Sequence, residues 1–108
     1  MLEVAPQVYA SGQLFNTDLE LLARQGVRSI VYTRPDDEST GQPLSADLAG
    51  AAEGLGIAFV YFPVESGSIS KEAATAFARA CDELKRPLIV CGRSGGHSTK
   101  IWETSEFL

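Results

Sequence analysis

Short apolar runs alternate with amphipathic stretches along the whole chain. Gln7-Val8-Tyr9-Ala10 predicts a weak first strand, ended by Ser11-Gly12. Leu19, Leu22 and Ala23 then recur at helical spacing, with Asn16 or Thr17 as cap and Asp18 and Glu20 in the first turn. Gly26 stops that helix. Residues 28–33 predict the second strand, and the polar loop over 34–43, which holds Asp36, Asp37 and Glu38, is long enough to be mobile. Ser45 is expected to cap a helix running through Leu48, Ala51, Ala52 and Leu55 to Gly56. Residues 57–62 are continuously apolar, the pattern of a strand buried on both faces. A loop over 63–69 leads to Ser70 as cap of a third helix, on which Ala74, Phe77, Cys81 and Leu84 share one face. Residues 87–91 form the fourth strand, and a last helix carries Ile101 and Trp102.

Such alternation predicts an α/β fold, a central four- or five-stranded mainly parallel sheet with helices on both faces and right-handed crossovers. Ligands in these sheets bind beyond the C-terminal ends of the strands. The loops after Thr33, Phe62 and Cys91 are therefore the ones to examine for chemistry.

Length and charge narrow the picture. A chain of 108 residues is expected to fold as one domain over 1–108. Its 44% hydrophobic and 21% charged residues are ordinary for a globular protein. No apolar run approaches the roughly 20 residues that span a bilayer, and Met1-Leu2-Glu3 opens no secretory signal. A net charge of −5 argues against nucleic acid as a partner. Two cysteines make no disulfide framework, so a reducing, cytoplasmic location is the expectation. One histidine and two separated cysteines make no zinc set, and neither a metal nor an organic cofactor is implied.

The most informative segment follows the fourth strand. Three glycines fall among Gly92-Arg93-Ser94-Gly95-Gly96-His97-Ser98, just before the last helix. Glycine lets successive N–H groups turn toward one point, and a helix N-terminus adds its dipole, so the segment predicts an anion site. Residues 92–101 carry Arg93, His97 and Lys100 and no acid. That field would also lower the pKa of Cys91 from about 8.5 and favour a nucleophilic thiolate. Equally, a cysteine that ends a buried strand can be a small core residue, and Cys81, beside Phe77 and Leu84, is read as core.

At this point the chain resembles a known family. Val8-Tyr9-Ala10-Ser11-Gly12-Gln13, Arg34-Pro35-Asp36-Asp37-Glu38, Phe62-Pro63-Val64 and Arg93-Ser94-Gly95 are similar to the bacterial phosphatase-like domains that occur alone or fused to β-lactamase-like hydrolases. These in turn resemble dual-specificity and tyrosine phosphatases. The resemblance runs from about Val4 to Trp102. It implies a cysteine-phosphatase fold, a cysteine nucleophile and an arginine closing a phosphate-binding loop.

Two registers of the family signature lie on this loop. With Cys91 as nucleophile, five residues separate it from His97, followed by Ser98, and histidine stands where the signature has arginine. Imidazole offers one contact where a guanidinium offers a permanent bidentate one. Laid without a gap, the pattern cysteine, arginine, serine, glycine, any residue, arginine, serine falls on residues 92–98. Gly92 then occupies the cysteine position.

On the first register the resemblance implies phosphomonoester hydrolysis through a cysteinyl-phosphate. Cys91 attacks, and the amides of Gly92 to Ser98 hold the phosphoryl oxygens. Arg93 and His97 add charge, and Ser98 supports the departing thiolate. Glu65 is the first choice of general acid, with Asp36 and Asp37 second. The partner is a phosphorylated substrate or a phosphate- or sulfate-like anion. Two alternatives stand beside this reading: an inactive anion- or protein-binding pseudophosphatase, and a rhodanese-like sulfurtransferase carrying a persulfide on Cys91.

Overall fold

The computed structural model describes residues 1–65 and 69–106. Four parallel strands form its centre: β2 (Val8–Ser11), β3 (Ser29–Tyr32), β4 (Ala58–Tyr61) and β5 (Leu88–Cys91). A further strand, β1 (Leu2–Ala5), pairs antiparallel with β2, giving the order β1-β2-β5-β3-β4. The helices are α1 (Asn16–Arg24), α2 (Ser45–Gly54), α3 (Lys71–Asp82) and α4 (Gly95–Glu106).

Strand side chains alternate between the two faces of the sheet, and each face has its own apolar layer. Ile30, Tyr32, Ile89 and Cys91 pack with Leu19 and Leu22 of α1 and Leu48 and Ala52 of α2. Val8, Val31, Leu88 and Val90 pack with Phe77 and Cys81 of α3 and Ile101 and Trp102 of α4. Helices therefore cover both faces, as the alternation of elements predicts.

Four local features differ from the sequence expectation. β1 has no counterpart in it; its exposed residues bury little, and it forms by turning back through Pro6 and Gln7, the latter at φ 59°. Its Glu3 carboxylate accepts the Gln7 N–H at 3.0 Å. The apolar run at 57–62 makes an edge strand, and the expectation of burial on both faces is not met: Phe59 and Val60 each reach one of the two layers only half-buried, and Ala58 and Tyr61 are exposed.

Helix capping differs too. At α1 the cap is Phe15, whose N–H donates to Asp18 Oδ2 at 2.7 Å, and not Asn16 or Thr17. Ser45 lies inside α2, where its N–H and hydroxyl donate to Asp36 at 2.7 and 2.8 Å. Ser70 does cap α3, accepting the Ala73 N–H at 3.1 Å.

Finally, the 34–43 loop is tied down. The Arg34 guanidinium donates to Glu38 at 2.8 Å, to Gln13 at 2.9 Å and to Ser39 at 2.7 Å, while Gln42 donates to the Pro35 carbonyl at 2.8 Å. No helix among the described residues is long and apolar enough to cross a membrane.

Candidate functional site

The turn from β5 into α4 emerges between β2 and β3, because Cys91 pairs with Ser11 on one side and Tyr32 on the other. Its first two residues face opposite ways. Cys91 is fully buried in the layer of α1 and α2, and its thiol donates to the Gly12 carbonyl at 3.4 Å. Burial pushes its pKa up to about 11. This corrects the expectation that the loop's field lowers it: removing the thiolate from water outweighs the hydrogen bonds from Leu14 and Ser11 and the charge of Arg34.

The raised value has a consequence for stability. Below about pH 8.5 the thiol is protonated in both the folded and the unfolded chain, so its contribution is complete. Above that the unfolded thiol ionises while the folded one holds its proton until about pH 11. A shift of that size corresponds to a loss of up to about 3 kcal/mol as pH rises through this window. Cys81, pushed up to about 12 by burial, acts in the same direction. Denaturation midpoints measured from pH 8 to 11 should fall, and fall less steeply in Cys91→Ala. An unchanged slope in that variant would contradict the buried thiol.

Gly92, by contrast, faces the α4 side. A Cβ there would lie 2.5 Å from Ser98 Oγ, 3.2 Å from Thr33 Oγ1 and 3.5 Å from His97 Cδ2. Ser98 is buried, and its hydroxyl donates to the Ser11 carbonyl at 2.8 Å. Thr33 donates to the Cys91 carbonyl at 2.9 Å. Glycine is thus the residue that fits between two buried hydroxyls and an imidazole.

Not all of the loop amides point outward. The Gly92 N–H donates to the Ser11 carbonyl at 3.1 Å, extending the sheet. His97 N–H goes to Ser94 Oγ and Ser98 N–H to the Ser94 carbonyl, each at 3.1 Å. The expected cradle over 92–98 therefore contracts. The N–H groups of Arg93, Ser94, Gly95 and Gly96 are the ones without an acceptor among the described residues.

Beside this turn lies a cleft of about 400 Å³. Arg93, His97 and Lys100 line it, and Glu65 stands on the wall supplied by the loop after β4. Its apolar lining is Val64, Ile69 and Ile101. Arg93, His97, Lys100 and Glu65 form no ion pair among the described residues. Residues 66–68 of the β4–α3 loop, part of the predicted 63–69 segment, lie outside the described residues.

Of the residues singled out from sequence, Glu65, Arg93, His97 and Lys100 share the cleft, whereas Gly95 and Gly96 line a separate shallow pocket beside Ala10, Ser11 and Gly12. Cys91 sits in the opposite layer, and Ser98 lies beneath the turn. Asp36 is engaged at the start of α2, and Asp37 is exposed in a turn at φ 63°; neither lines the cleft. Sequence reasoning missed Thr33, Ile69 and Thr104. Thr104 was reachable, since His97, Lys100, Ile101 and Thr104 follow the i, i+3, i+4, i+7 spacing of one helix face.

Comparison with known proteins fits this architecture. The model of the family described as beta-lactamase hydrolase-like protein, phosphatase-like domain, matches residues 1–108. The chain belongs to that family. It is a phosphatase-like domain. A beta-lactamase hydrolase-like protein of Xylella fastidiosa is 30% identical over 108 residues, all of this chain and 25% of the relative. One of Agrobacterium fabrum is 29% identical over 98 residues, 91% of this chain and 23% of the relative. The chain thus spans about a quarter of the length of the curated relatives it matches.

Among solved structures, a Neisseria meningitidis protein named "putative phosphatase" superposes with a TM-score of 0.85 at 28% identity, covering 94% of this chain and 72% of that one. The core catalytic domain of the yeast PP-IP phosphatase SIW14 shares the fold at a TM-score of 0.64 and 13% identity, covering 87% of this chain and 56% of that one.

Proposed function

We propose that this phosphatase-like domain binds phosphate or phosphomonoester groups at the 93–97 turn and does not hydrolyse them. The observation that carries the reading is the pair of directions taken by Cys91 and Gly92. A one-residue step along a strand reverses the side chain, and the residue that looks into the turn is Gly92. This agrees with the register in which Gly92 stands at the family's cysteine position and His97 at its arginine. Cys91 faces the other layer with its thiol hydrogen-bonded and its pKa raised to about 11. Phosphoryl attack and persulfide carriage both need a thiolate open to the cleft.

What supports anion binding is independent of the sulfur. Four amides without acceptors gather at the N-terminus of α4, where its dipole favours an anion, and Arg93 and Lys100 add positive charge nearby. Affinity for inorganic phosphate, sulfate or vanadate should be modest, since imidazole replaces a bidentate guanidinium.

Titration followed by NMR should move the amides of Arg93, Ser94, Gly95 and Gly96 most, and Gly92 little. In the same preparation, p-nitrophenyl phosphate hydrolysis and thiosulfate-dependent thiocyanate formation should equal those of Cys91→Ser. Hydrolysis that disappears with Cys91→Ser would overturn the reading and restore the enzyme.

A further inference from the structure

We propose that the free edge of β4 takes up an extended lysine- or arginine-rich segment of a partner protein as a further strand of the sheet. The proposal is independent of the anion-binding reading above. β4 ends the sheet, with β3 on its inner side. The Ala58 N–H donates to the Arg28 carbonyl and the Phe62 N–H to the Tyr32 carbonyl, each at 2.9 Å. In a parallel ladder alternate residues turn both backbone groups to the same neighbour, so Ala58, Val60 and Phe62 face β3. Phe59 and Tyr61 turn theirs outward, where they meet no partner among the described residues. The next outward position is Pro63, which has no N–H to offer.

Natural sheets blunt such edges with charges, bulges or a cover. The opposite edge does so: β1 carries Glu3 and a register shift between Glu3 and Ala5. β4 does not. Residues 57–64 hold no charged side chain, and the pairing with β3 runs unbroken from Ala58 to Tyr61. Phe59, Val60 and Phe62 are half-buried and Tyr61 is 39% exposed, which leaves apolar flanks on both faces. An added strand would satisfy the outward amides and carbonyls and lay its alternate side chains against these flanks.

Charge selects the occupant. From Pro35 to Val64 the chain carries Asp36, Asp37, Glu38, Asp47 and Glu53 and no lysine, arginine or histidine. Glu38 is paired with Arg34, whereas Asp37, Asp47 and Glu53 are exposed and form no ion pair among the described residues. The elements that carry them border the strand. The Tyr61 hydroxyl accepts the Asp36 N–H at 2.9 Å, α2 packs against β4, and the turn after Glu53 leads into it. Arg28 stands at the foot of the strand, where its carbonyl accepts the Ala58 N–H. Pairing with β4 of a second copy would bring two acidic borders together, so the field opposes self-association and favours a basic strand.

NMR titration with two short peptides, one alternating lysine and valine and the other glutamate and valine, tests this. The lysine peptide should slow hydrogen exchange at the Phe59 and Tyr61 amides far more than at Val60. It should bind about tenfold more tightly than the glutamate peptide at low salt. Asp37→Asn combined with Glu53→Gln should narrow that ratio. Tyr61→Pro removes an outward N–H that the β3 ladder does not use and should abolish binding. Ala58→Lys, at an exposed position, sets a like charge beside the edge and should weaken binding without a proline in the strand. Equal binding of the two peptides, shifts confined to other elements, or binding unaffected by Ala58→Lys overturns the proposal. So does protection of Phe59 and Tyr61 that follows protein concentration alone, which would give the edge to a second copy.

Discussion

His97→Arg by itself should leave phosphate-monoester hydrolysis undetectable, whereas Gly92→Cys combined with His97→Arg should create it. The single variant restores a permanent bidentate contact to the phosphoryl oxygens but supplies no sulfur on the cleft side. Gly92→Cys supplies the sulfur where the Cβ direction points at Ser98 Oγ and lies near His97. The Ser98 hydroxyl then has to leave the Ser11 carbonyl, to which it now donates at 2.8 Å. Turned toward the new sulfur, it would stabilise the thiolate. Adding arginine to that nucleophile should raise p-nitrophenyl phosphate turnover by roughly 10²–10³ over Gly92→Cys alone, the usual cost of one missing donor in such a cradle. Cys91→Ala should make no difference in any of these backgrounds. If His97→Arg alone gains activity that Cys91→Ser removes, Cys91 reaches the cleft and the proposed register is wrong.

That choice of register shows where the sequence is legible and where it is not. The residues alternate visibly: Leu88, Val90 and Gly92 share one side of β5, Ile89 and Cys91 the other. Nothing local says which side α4 will cover, because that depends on how the chain crosses over the sheet. The same limit explains β4. A run of apolar residues predicts cover on both faces, but at the edge of the sheet the helices reach only Phe59 and Val60 in part and leave Ala58 and Tyr61 exposed.

Contacts across sequence were the other blind spot. The α3 cap at Ser70 is a local bond over three residues and can be read directly. The α2 terminus is satisfied by Asp36, nine residues away, which also takes Asp36 out of consideration as an acid. Arg34 reaches 21 residues back to Gln13 and turns an apparently loose loop into a braced one. The cleft lay in between. Its cations and Glu65 were legible by type, and the turn by its glycines, but the loss of the Gly92 amide to Ser11 follows only from the pairing of β5 with β2.

A second large effect should come from adding one methyl group. Gly92→Ala places a Cβ 2.5 Å from Ser98 Oγ, closer than two unbonded heavy atoms can rest. Ser98 sits in the interior at 0% exposure, so its hydroxyl has to rotate and give up the Ser11 carbonyl. Stranding a buried polar group costs about 1–3 kcal/mol, and Gly92→Ala should destabilise by that amount with little change at α3. Ser98→Ala removes the hydroxyl and loses the same bond, so it too should be destabilising. The double variant has already lost that bond and no longer holds the clash. Its cost should fall short of the sum of the two singles by about 1 kcal/mol or more, where distant sites would add. Urea denaturation of all four proteins measures the coupling. Additive costs would mean that the Ser98 hydroxyl does not occupy the space beside Gly92, and the steric basis for excluding a side chain from that position would fail.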